Sequence, residues 1–316
     1  MSKFKISMRS MLASALFMGT FFAAGSSLHA VTYDLFVHGL STQDHCSWSK
    51  NSAGNWVNPD SAAKTDVNNY WAGTAKPGGT TIYVGFNKNA TNGALSWQYP
   101  CGAQFVLYNA LNRFCRDGNN CRIYTHSTGG LVAAGLMAYL QDANLGAQHN
   151  ILQIRLMANA SGGAELATRA PQVKAAVDAF LITHPAARAV MDKYVLPWCT
   201  NSEVMKSVRV DPARQAFDHN KTTGRILQIT MGHNMTGYHR LTQPFLSGIN
   251  DSTLSNHTLC GARSPVALTY CSGNTQRVGV YQRQGQYIYK WTNYYALNMA
   301  INASHIHSDS KSEWRN

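Results

Sequence analysis

Ser127 stands at a point in the chain where a serine hydroxyl can act as a nucleophile. The residues before it, Cys-Arg-Ile-Tyr-Thr (121–125), predict a strand, and residues 130–141 predict a helix of small apolar residues. A sharp strand-to-helix turn lifts the hydroxyl above the sheet and points the first helical N–H groups at a developing oxyanion. A serine needs this exposure, and a base that takes its proton, before it attacks a carbonyl carbon. The sequence therefore predicts that Ser127 is a catalytic nucleophile.

The residues around Ser127 follow the pattern T-x-S-x-G. Gly129 and Gly130 supply the small neighbours that a tight turn needs, whereas Thr125 occupies a place where glycine is common. A serine that only caps the following helix is the non-catalytic alternative.

A second segment, Leu-Phe-Val-His-Gly-Leu-Ser (35–41), favours catalysis because it predicts a strand that ends at His-Gly. Such a segment brings a second backbone donor to an oxyanion, and two segments in this order are more specific than either one alone. The predicted oxyanion-hole donors are the backbone N–H groups of Leu40 and Thr128. The residues predicted to support the site are His38, Gly39, His126 and Gly129.

Strands and helices alternate along the rest of the chain. The predicted strands are 31–37, 80–86, 121–125, 151–158 and 225–231, the predicted helices are 102–114, 130–141 and 171–182, and residues 277–291 predict a hairpin around Gly285. This order predicts an α/β sheet, largely parallel, with helices on both faces. Ligands of such sheets bind outside the carboxyl ends of the strands, where Ser127 and the His-Gly segment fall.

These motifs resemble those of the secreted bacterial lipases of the α/β-hydrolase fold, most closely the true-lipase family typified by Pseudomonas and Burkholderia. The matching segments are VHGLS (37–41), VNNYWAG (67–73), TTIYVGFN (80–87), THSTGGLVA (125–133) and ANASGGAELA (158–167). The chain departs from the family at Thr125 and at Asn159-Ala160, where the family has a Pro-His pair, and much of 185–250 matches nothing in it. The resemblance implies hydrolysis of carboxyl esters, often of acyl lipids, and a mobile, partly helical lid, here at about 163–245.

The triad of this fold runs in the order Ser, Asp or Glu, His, so the acid lies beyond Ser127. After the predicted strand 225–231 the first carboxylate is Asp251, in Asn-Asp-Ser-Thr, which resembles the acid loop of the family. Asp211 and Asp218, which precede that strand, are the alternatives. An Asx-turn in a loop is the non-catalytic interpretation of Asp251.

The base is expected among the histidines after Asp251, which are His257, His305 and His307. The family histidine belongs to an H-x-D pattern, and His307-Ser308-Asp309 fits it, so we predict His307, with His305 as the alternative. A surface His-x-His that binds adventitious metal is the non-catalytic interpretation. The resemblance also implies a structural calcium ion held in part by Asp309, whereas the hydrolysis itself requires no cofactor.

The N-terminus has the composition of a secretory signal peptide. Lys3, Lys5 and Arg9 precede the apolar run from Met11 to Ala24, and a small residue, Ala30, offers a cleavage site. We therefore predict that residues 1–30 are removed on export and that 31–316 form a single mature domain, secreted or periplasmic. An uncleaved membrane anchor is the alternative.

The seven cysteines all follow Ala30, so export would place them in an oxidising compartment. Cys115 and Cys121 bracket a short polar loop and are candidates for a disulfide bond. The other candidate pairs are Cys46 with Cys101, and Cys199 with Cys260 or Cys271. Connectivity cannot be deduced from sequence, and an odd number leaves at least one thiol outside an intramolecular pair.

The charge balance favours anionic partners. The formal net charge is +12, and removing the three basic residues of the leader leaves 24 basic and 15 acidic residues, or +9. This charge is typical of a protein that touches lipid headgroups or lipopolysaccharide, or of a basic surface that only aids solubility. The basic residues are scattered and form no binding motif, which argues against nucleic acid.

The sequence leaves several functions open. A lipase, an esterase, a phospholipase or acyltransferase, and a polyester depolymerase would all use the same triad. A catalytically silent relative that binds a surface ligand is the alternative of another class. The oligomeric state is not predicted.

Overall fold

The structure is a computed structural model. The residues that it describes are 30–40, 49–50, 56–57, 61–71, 80–86, 93–97, 101–219, 227–232, 239–247, 250–255, 258–259, 277–283, 286–291, 297–302 and 307–315. Val31–Asn316 belong to one compact unit, and the predicted leader lies outside the described residues except for Ala30. None of the described helices is both long and apolar enough to cross a membrane.

The described strands form one large sheet and a separate two-stranded pair. Their bounds are β1 Thr32–Val37, β2 Ser49–Lys50, β3 Trp56–Val57, β4 Thr80–Val84, β5 Asn120–His126, β6 Ile151–Met157, β7 Leu227–Gly232, β8 Arg277–Arg283, β9 Gln286–Trp291 and β10 Leu297–Asn302. The large sheet has the order β4-β1-β5-β6-β7-β10-β9-β8, and β2 pairs with β3. The strands predicted from the sequence correspond to β1, β4, β5, β6 and β7.

The first six strands of the large sheet are parallel, from β4 to β10. Two antiparallel strands, β9 and β8, complete it, and Arg283 pairs with Gln286 across their connection. The predicted hairpin is therefore confirmed. Its second strand pairs with β10, a strand that the sequence analysis did not predict.

Helices connect the parallel strands. The described α-helices are α1 Ser61–Tyr70, α2 Ala103–Phe114, α3 Thr128–Asp142, α4 Glu165–Thr168, α5 Ala170–Thr183, α6 Arg188–Tyr194, α7 Glu203–Ser207, α8 Val210–Gln215 and α9 His239–Thr242. The predicted helices correspond to α2, α3 and α5. Helices α4 to α8 lie between β6 and β7, within the predicted lid region, whose movement stays a prediction.

Both faces of the sheet are covered. Leu35 and Val37 of β1 belong to a hydrophobic cluster with residues of α2 and α3, whereas Phe36 packs with Val67 and Trp71, on and just after α1. Successive side chains of a strand point to opposite faces, so α1 and the pair α2 and α3 lie on opposite sides of the sheet. The parallel sheet, the two helical layers and the strand-turn-helix at the end of β5 define the α/β-hydrolase fold, as predicted.

The cysteines partly follow the predicted pairing. Cys115 and Cys121 form a disulfide bond, with Cα atoms 5.3 Å apart. Cys101 is also disulfide-bonded, and its partner lies outside the described residues. The prediction that Cys199 pairs with Cys260 or Cys271 is wrong, because Cys199 carries a free thiol. Cys199 is half-buried at the end of the helical segment after α6, the 3-10 helix Leu196–Cys199, and burial raises the pKa of its thiol to about 11.

Replacing Cys115 and Cys121 together by alanine should lower the free energy of unfolding by about 2 kcal/mol, because the bond closes a short loop and restricts the unfolded chain. Denaturant unfolding under oxidising conditions measures this. The double variant isolates this bond, since chemical reduction would also break the one at Cys101. An unchanged unfolding midpoint would contradict the prediction.

Candidate active site

Ser127 occupies the turn between β5 and α3 in a strained backbone conformation. Its φ is 57° and its ψ is −127°, a region that costs a non-glycine residue about 1–3 kcal/mol. The strand beside it holds the turn: the Ser127 N–H donates to the Met157 carbonyl at 3.0 Å, and the Ser127 carbonyl accepts from the Ala160 N–H at 3.1 Å. The Ser127 side chain makes no capping hydrogen bond to α3, which opposes the helix-cap alternative.

Two glycines allow the end of β1 to touch this turn. A Cβ atom on Gly39 would lie 2.7 Å from the Ser127 Cβ, and one on Gly129 would lie 2.5 Å from the His38 carbonyl oxygen. Both distances are too short for any side chain, so only glycine permits the contact. The contact brings together the two backbone segments that carry the predicted oxyanion donors, Leu40 and Thr128.

His38 is a buried side chain that fixes the end of β1. Its Nε2 accepts a hydrogen bond from the Phe86 N–H at 3.0 Å, so its Nδ1 carries the proton and donates to the Gly39 carbonyl at 2.6 Å. The ring also stacks on the Phe86 ring, with centroids 4.2 Å apart. These contacts hold the His-Gly segment against the residues that follow β4, and the supporting role of His38 in the site stays a prediction.

Asp251 and His307 are in direct contact. His307 begins the C-terminal 3-10 helix His307–Arg315, and its Nδ1 lies 2.8 Å from Asp251 Oδ2. The other carboxylate oxygen, Oδ1, accepts from the N–H groups of Thr253 at 3.0 Å and Leu254 at 2.7 Å. The Asx-type turn and the contact with His307 thus use different oxygens of Asp251, whose side chain is fully buried.

Two polar side-chain atoms, one on Ser127 and one on His307, are buried and unpaired within the described part of the chain. Ser127 Oγ and His307 Nε2 have no hydrogen-bond partner among the described residues, and the two residues are 2% and 8% exposed. Trp198, on the segment after α6, packs edge-on against the His307 ring with centroids 5.8 Å apart. Buried unpaired polar atoms in a native structure call for an explanation, and a catalytic role is one.

The other predicted residues fall in different places. Asp211 lies exposed on α8, Asp218 follows α8, and the carboxylate that contacts His307 is neither of them. His305 lies outside the described residues. Asp309 is exposed, with its Oδ1 accepting from the Ser308 hydroxyl at 3.3 Å.

Asp309 is the residue that the resemblance assigns to a structural calcium ion. No three His, Cys, Asp or Glu side chains of the described part of the chain lie close enough together to hold a metal ion. The calcium ion that the resemblance implies stays a prediction.

Sequence reasoning missed the residue that supports the acid loop. Glu165 is buried at the start of α4, and its Oε2 accepts from the Ser247 N–H at 3.0 Å and from the Ser255 hydroxyl. Ser247 and Ser255 flank Asp251, so Glu165 holds both ends of its loop. The signal was present, because Glu165 lies in one of the segments that resemble the lipase family.

Solved structures offer distant likenesses. A mature lipase from Bacillus licheniformis is 14% identical, with a TM-score of 0.44, and the match covers 75% of this chain and 85% of that one. Lipase 1 from Pelosinus fermentans is 12% identical, with a TM-score of 0.43, and the match covers 90% of this chain and 94% of that one. A metagenomic carboxyl esterase is also 12% identical, with a TM-score of 0.44, and that match covers 89% of this chain and 65% of the esterase. No family model and no curated protein matches the chain. The fold class follows from the sheet order, and the chemistry must follow from the site.

Proposed function

We propose that this protein is a secreted serine hydrolase that cleaves carboxyl esters through the triad Ser127, His307 and Asp251. The observation that carries the proposal is the hydrogen bond of 2.8 Å between His307 Nδ1 and Asp251 Oδ2, beside a strained serine turn at the same edge of the sheet. Asp251 contacts His307, and the three residues follow the chain order Ser, Asp, His that this fold uses for a triad, which supports the proposal.

The reaction follows from the proton positions. Asp251 can only accept, so His307 Nδ1 carries the proton and Nε2 keeps a lone pair. Nε2 takes the Ser127 proton as Oγ attacks the ester carbonyl carbon, and Asp251 stabilises the imidazolium that forms. The N–H groups of Leu40 and Thr128 then hold the oxyanion, a contribution worth about 10²–10³ in rate. His307 gives this proton to the departing alcohol, which leaves the acyl group on Ser127. His307 then takes a proton from water, the water oxygen attacks the acyl carbonyl, and Ser127 regains its proton as the carboxylic acid leaves.

The substrate class is an ester with an apolar acyl group, as in acyl lipids. Trp198 packs on His307, and neither Ser127 nor His307 is more than slightly exposed. Because Trp198 packs on the His307 ring, we assign the helical segment around Trp198 the lid role that the resemblance implies. The basic chain would favour transient contact with an anionic lipid surface.

Export is supported by the composition of residues 1–30 and by disulfide bonds at Cys101 and between Cys115 and Cys121. Disulfide bonds persist in oxidising compartments and are rare in reducing ones. The assignment to the true-lipase family typified by Pseudomonas and Burkholderia remains part of the proposal, since it depends on the short motifs alone.

Incubation of the folded protein with a fluorophosphonate probe tests the proposal. We expect one probe per chain, located on Ser127 by peptide mass spectrometry, and turnover of p-nitrophenyl esters whose chain-length profile separates a lipase from an esterase. Protein heated until it unfolds should not react and serves as the control. Folded, oxidised protein that takes no probe would instead be a silent binding relative.

A further inference from the structure

Tyr70, which is half-buried, and His126, which is buried, form a hydrogen-bonded pair beside the serine turn. The Tyr70 hydroxyl contacts His126 Nδ1, and His126 Nε2 lies 2.8 Å from the main-chain carbonyl oxygen of His307. His126 is the residue before Ser127, so its side chain links the nucleophile turn to the backbone of the proposed base. The mechanism described above uses neither side chain.

Only one proton arrangement satisfies these contacts. A carbonyl oxygen can only accept, so His126 Nε2 carries a proton. Burial, and then the nearby charges of His307 and Lys311, lower the pKa of His126 well below its ordinary value, so the ring is neutral. Its Nδ1 therefore keeps a lone pair and accepts the Tyr70 hydroxyl proton. Burial also raises the pKa of Tyr70, which keeps that hydroxyl protonated.

Two further contacts extend the pair to neighbouring segments. The Gly39 backbone, just after β1, forms a hydrogen bond with the Tyr70 hydroxyl. This hydrogen bond lowers the pKa of Tyr70, but the rise that burial causes is larger. Lys311, in the same 3-10 helix as His307, donates to the Tyr70 carbonyl and lies over the Tyr70 ring, with Nζ 4.5 Å from its centroid. Tyr70 thus contacts both the oxyanion side and the base side of the site.

The His307 backbone is fixed at two points. Its N–H donates to the Asp251 carbonyl at 3.0 Å, and its own carbonyl accepts from His126. The first contact sets His307 relative to the acid, whereas the second sets it relative to Ser127. Because Ser127 Oγ and His307 Nε2 share no hydrogen bond in this structure, the His126 contact is the described bond that ties the base to the nucleophile turn.

We infer that His126 and Tyr70 are positioning residues, which fix the His307 backbone relative to the Ser127 turn so that proton transfer between the two side chains can occur. This inference rests on the proposed function. His126 supplies the donor, and Tyr70 fixes the tautomer that makes it a donor. Neither residue touches the substrate, so their loss should lower kcat and leave KM nearly unchanged.

The test compares variants that remove or keep the donor. H126F removes it and should lower kcat/KM for a p-nitrophenyl ester by about 10²-fold, the effect of a misplacement near 1 Å. H126Q keeps an amide N–H near the position of Nε2 and should recover most of that loss. Y70F should lower kcat/KM several-fold in the wild-type background. In H126F it should lower kcat/KM no further, because the two residues act through one chain of hydrogen bonds.

A matched control separates positioning from general destabilisation. His219 is another buried, neutral histidine, whose Nε2 lies 3.0 Å from the Ala213 carbonyl and whose pKa is lowered by burial to about 3. H219F should lower the melting temperature and leave kcat/KM of the folded protein unchanged. Tyr83→Phe, which removes a hydroxyl that donates to Asn68, is the corresponding control for Y70F.

The inference is overturned if folded H126F retains wild-type kcat/KM, or if H126Q is as impaired as H126F. If H126F does not fold, the test uses Y70F, H126Q and their double variant. Gln has no Nδ1 that Tyr70 could contact, so Y70F should lower kcat/KM no further in H126Q. Additive losses of kcat/KM in the double variant would overturn the inference. The fluorophosphonate labelling rate distinguishes failure of the proposed hydrolase function from failure of the positioning role alone. A wild-type protein that takes no probe refutes the proposed hydrolase, whereas labelling of H126F at the wild-type rate refutes only the positioning role.

Discussion

Replacing Ser127 by alanine should lower kcat/KM for ester hydrolysis by about 10⁶-fold, the loss seen when a triad nucleophile is removed. The variant keeps the turn, since alanine accepts the same backbone strain as serine, but it has no oxygen that can form an acyl-enzyme. Steady-state hydrolysis of a p-nitrophenyl ester, with fluorophosphonate labelling in parallel, measures the effect.

The control is a serine whose hydroxyl has only structural contacts. Ser207 on α7 donates to the Val204 carbonyl at 2.7 Å and accepts from the Ala94 N–H at 3.0 Å. Ser207→Ala should lose some stability and keep its activity. Retention of activity in a purified Ser127→Ala variant would show that another residue is the nucleophile.

Replacing Asp251 by asparagine should lower kcat/KM by about 10⁴-fold, because it reverses the tautomer of the base. Two backbone N–H groups, of Thr253 and Leu254, converge on Oδ1. The amide oxygen of asparagine must face this pair of donors, so the amide NH₂ faces His307. His307 Nδ1 then accepts that hydrogen bond, and Nε2 carries the proton and cannot take another from Ser127.

The measurement compares Asp251→Asn with the two aspartates that the sequence left as alternatives. Asp211→Asn and Asp218→Asn should hydrolyse esters at rates close to wild type, and Asp251→Asn should also react slowly with the fluorophosphonate probe. Comparable losses in all three variants would point to an effect of charge rather than of the tautomer.

The sequence predicted those parts of the fold that local patterns determine. The strand before Ser127 and the helix after it have clear apolar patterns, so the turn between them was recognisable although Thr125 departs from the usual motif. Helix α1, Ser-Ala-Ala-Lys-Thr-Asp-Val-Asn-Asn-Tyr, has too few apolar residues for helical periodicity. Strand β10, with Asn and Met among its residues, lacks the β-branched pattern that predicts a strand.

Tertiary contacts account for what the sequence left undecided. His305 and His307 are two residues apart. The H-x-D pattern favoured His307 without excluding His305, and the contact with Asp251 supports His307 independently. Cysteine pairing depends on distances between remote segments, so the prediction for Cys199 was wrong. The roles of Tyr70 and Glu165 depend on partners far along the chain, which no spacing rule reports.

The antiparallel hairpin changes the environment of the strand that leads to the base. In the described part of the sheet, β10 is hydrogen-bonded to β7 on one side and to β9 on the other. Without the hairpin it would be the outermost strand, with a row of backbone groups open to solvent. Fraying and pairing with foreign chains begin at such edges, and here the edge is β8, about 10 Å from β10. The hairpin therefore separates the candidate active site from the open edge of the sheet.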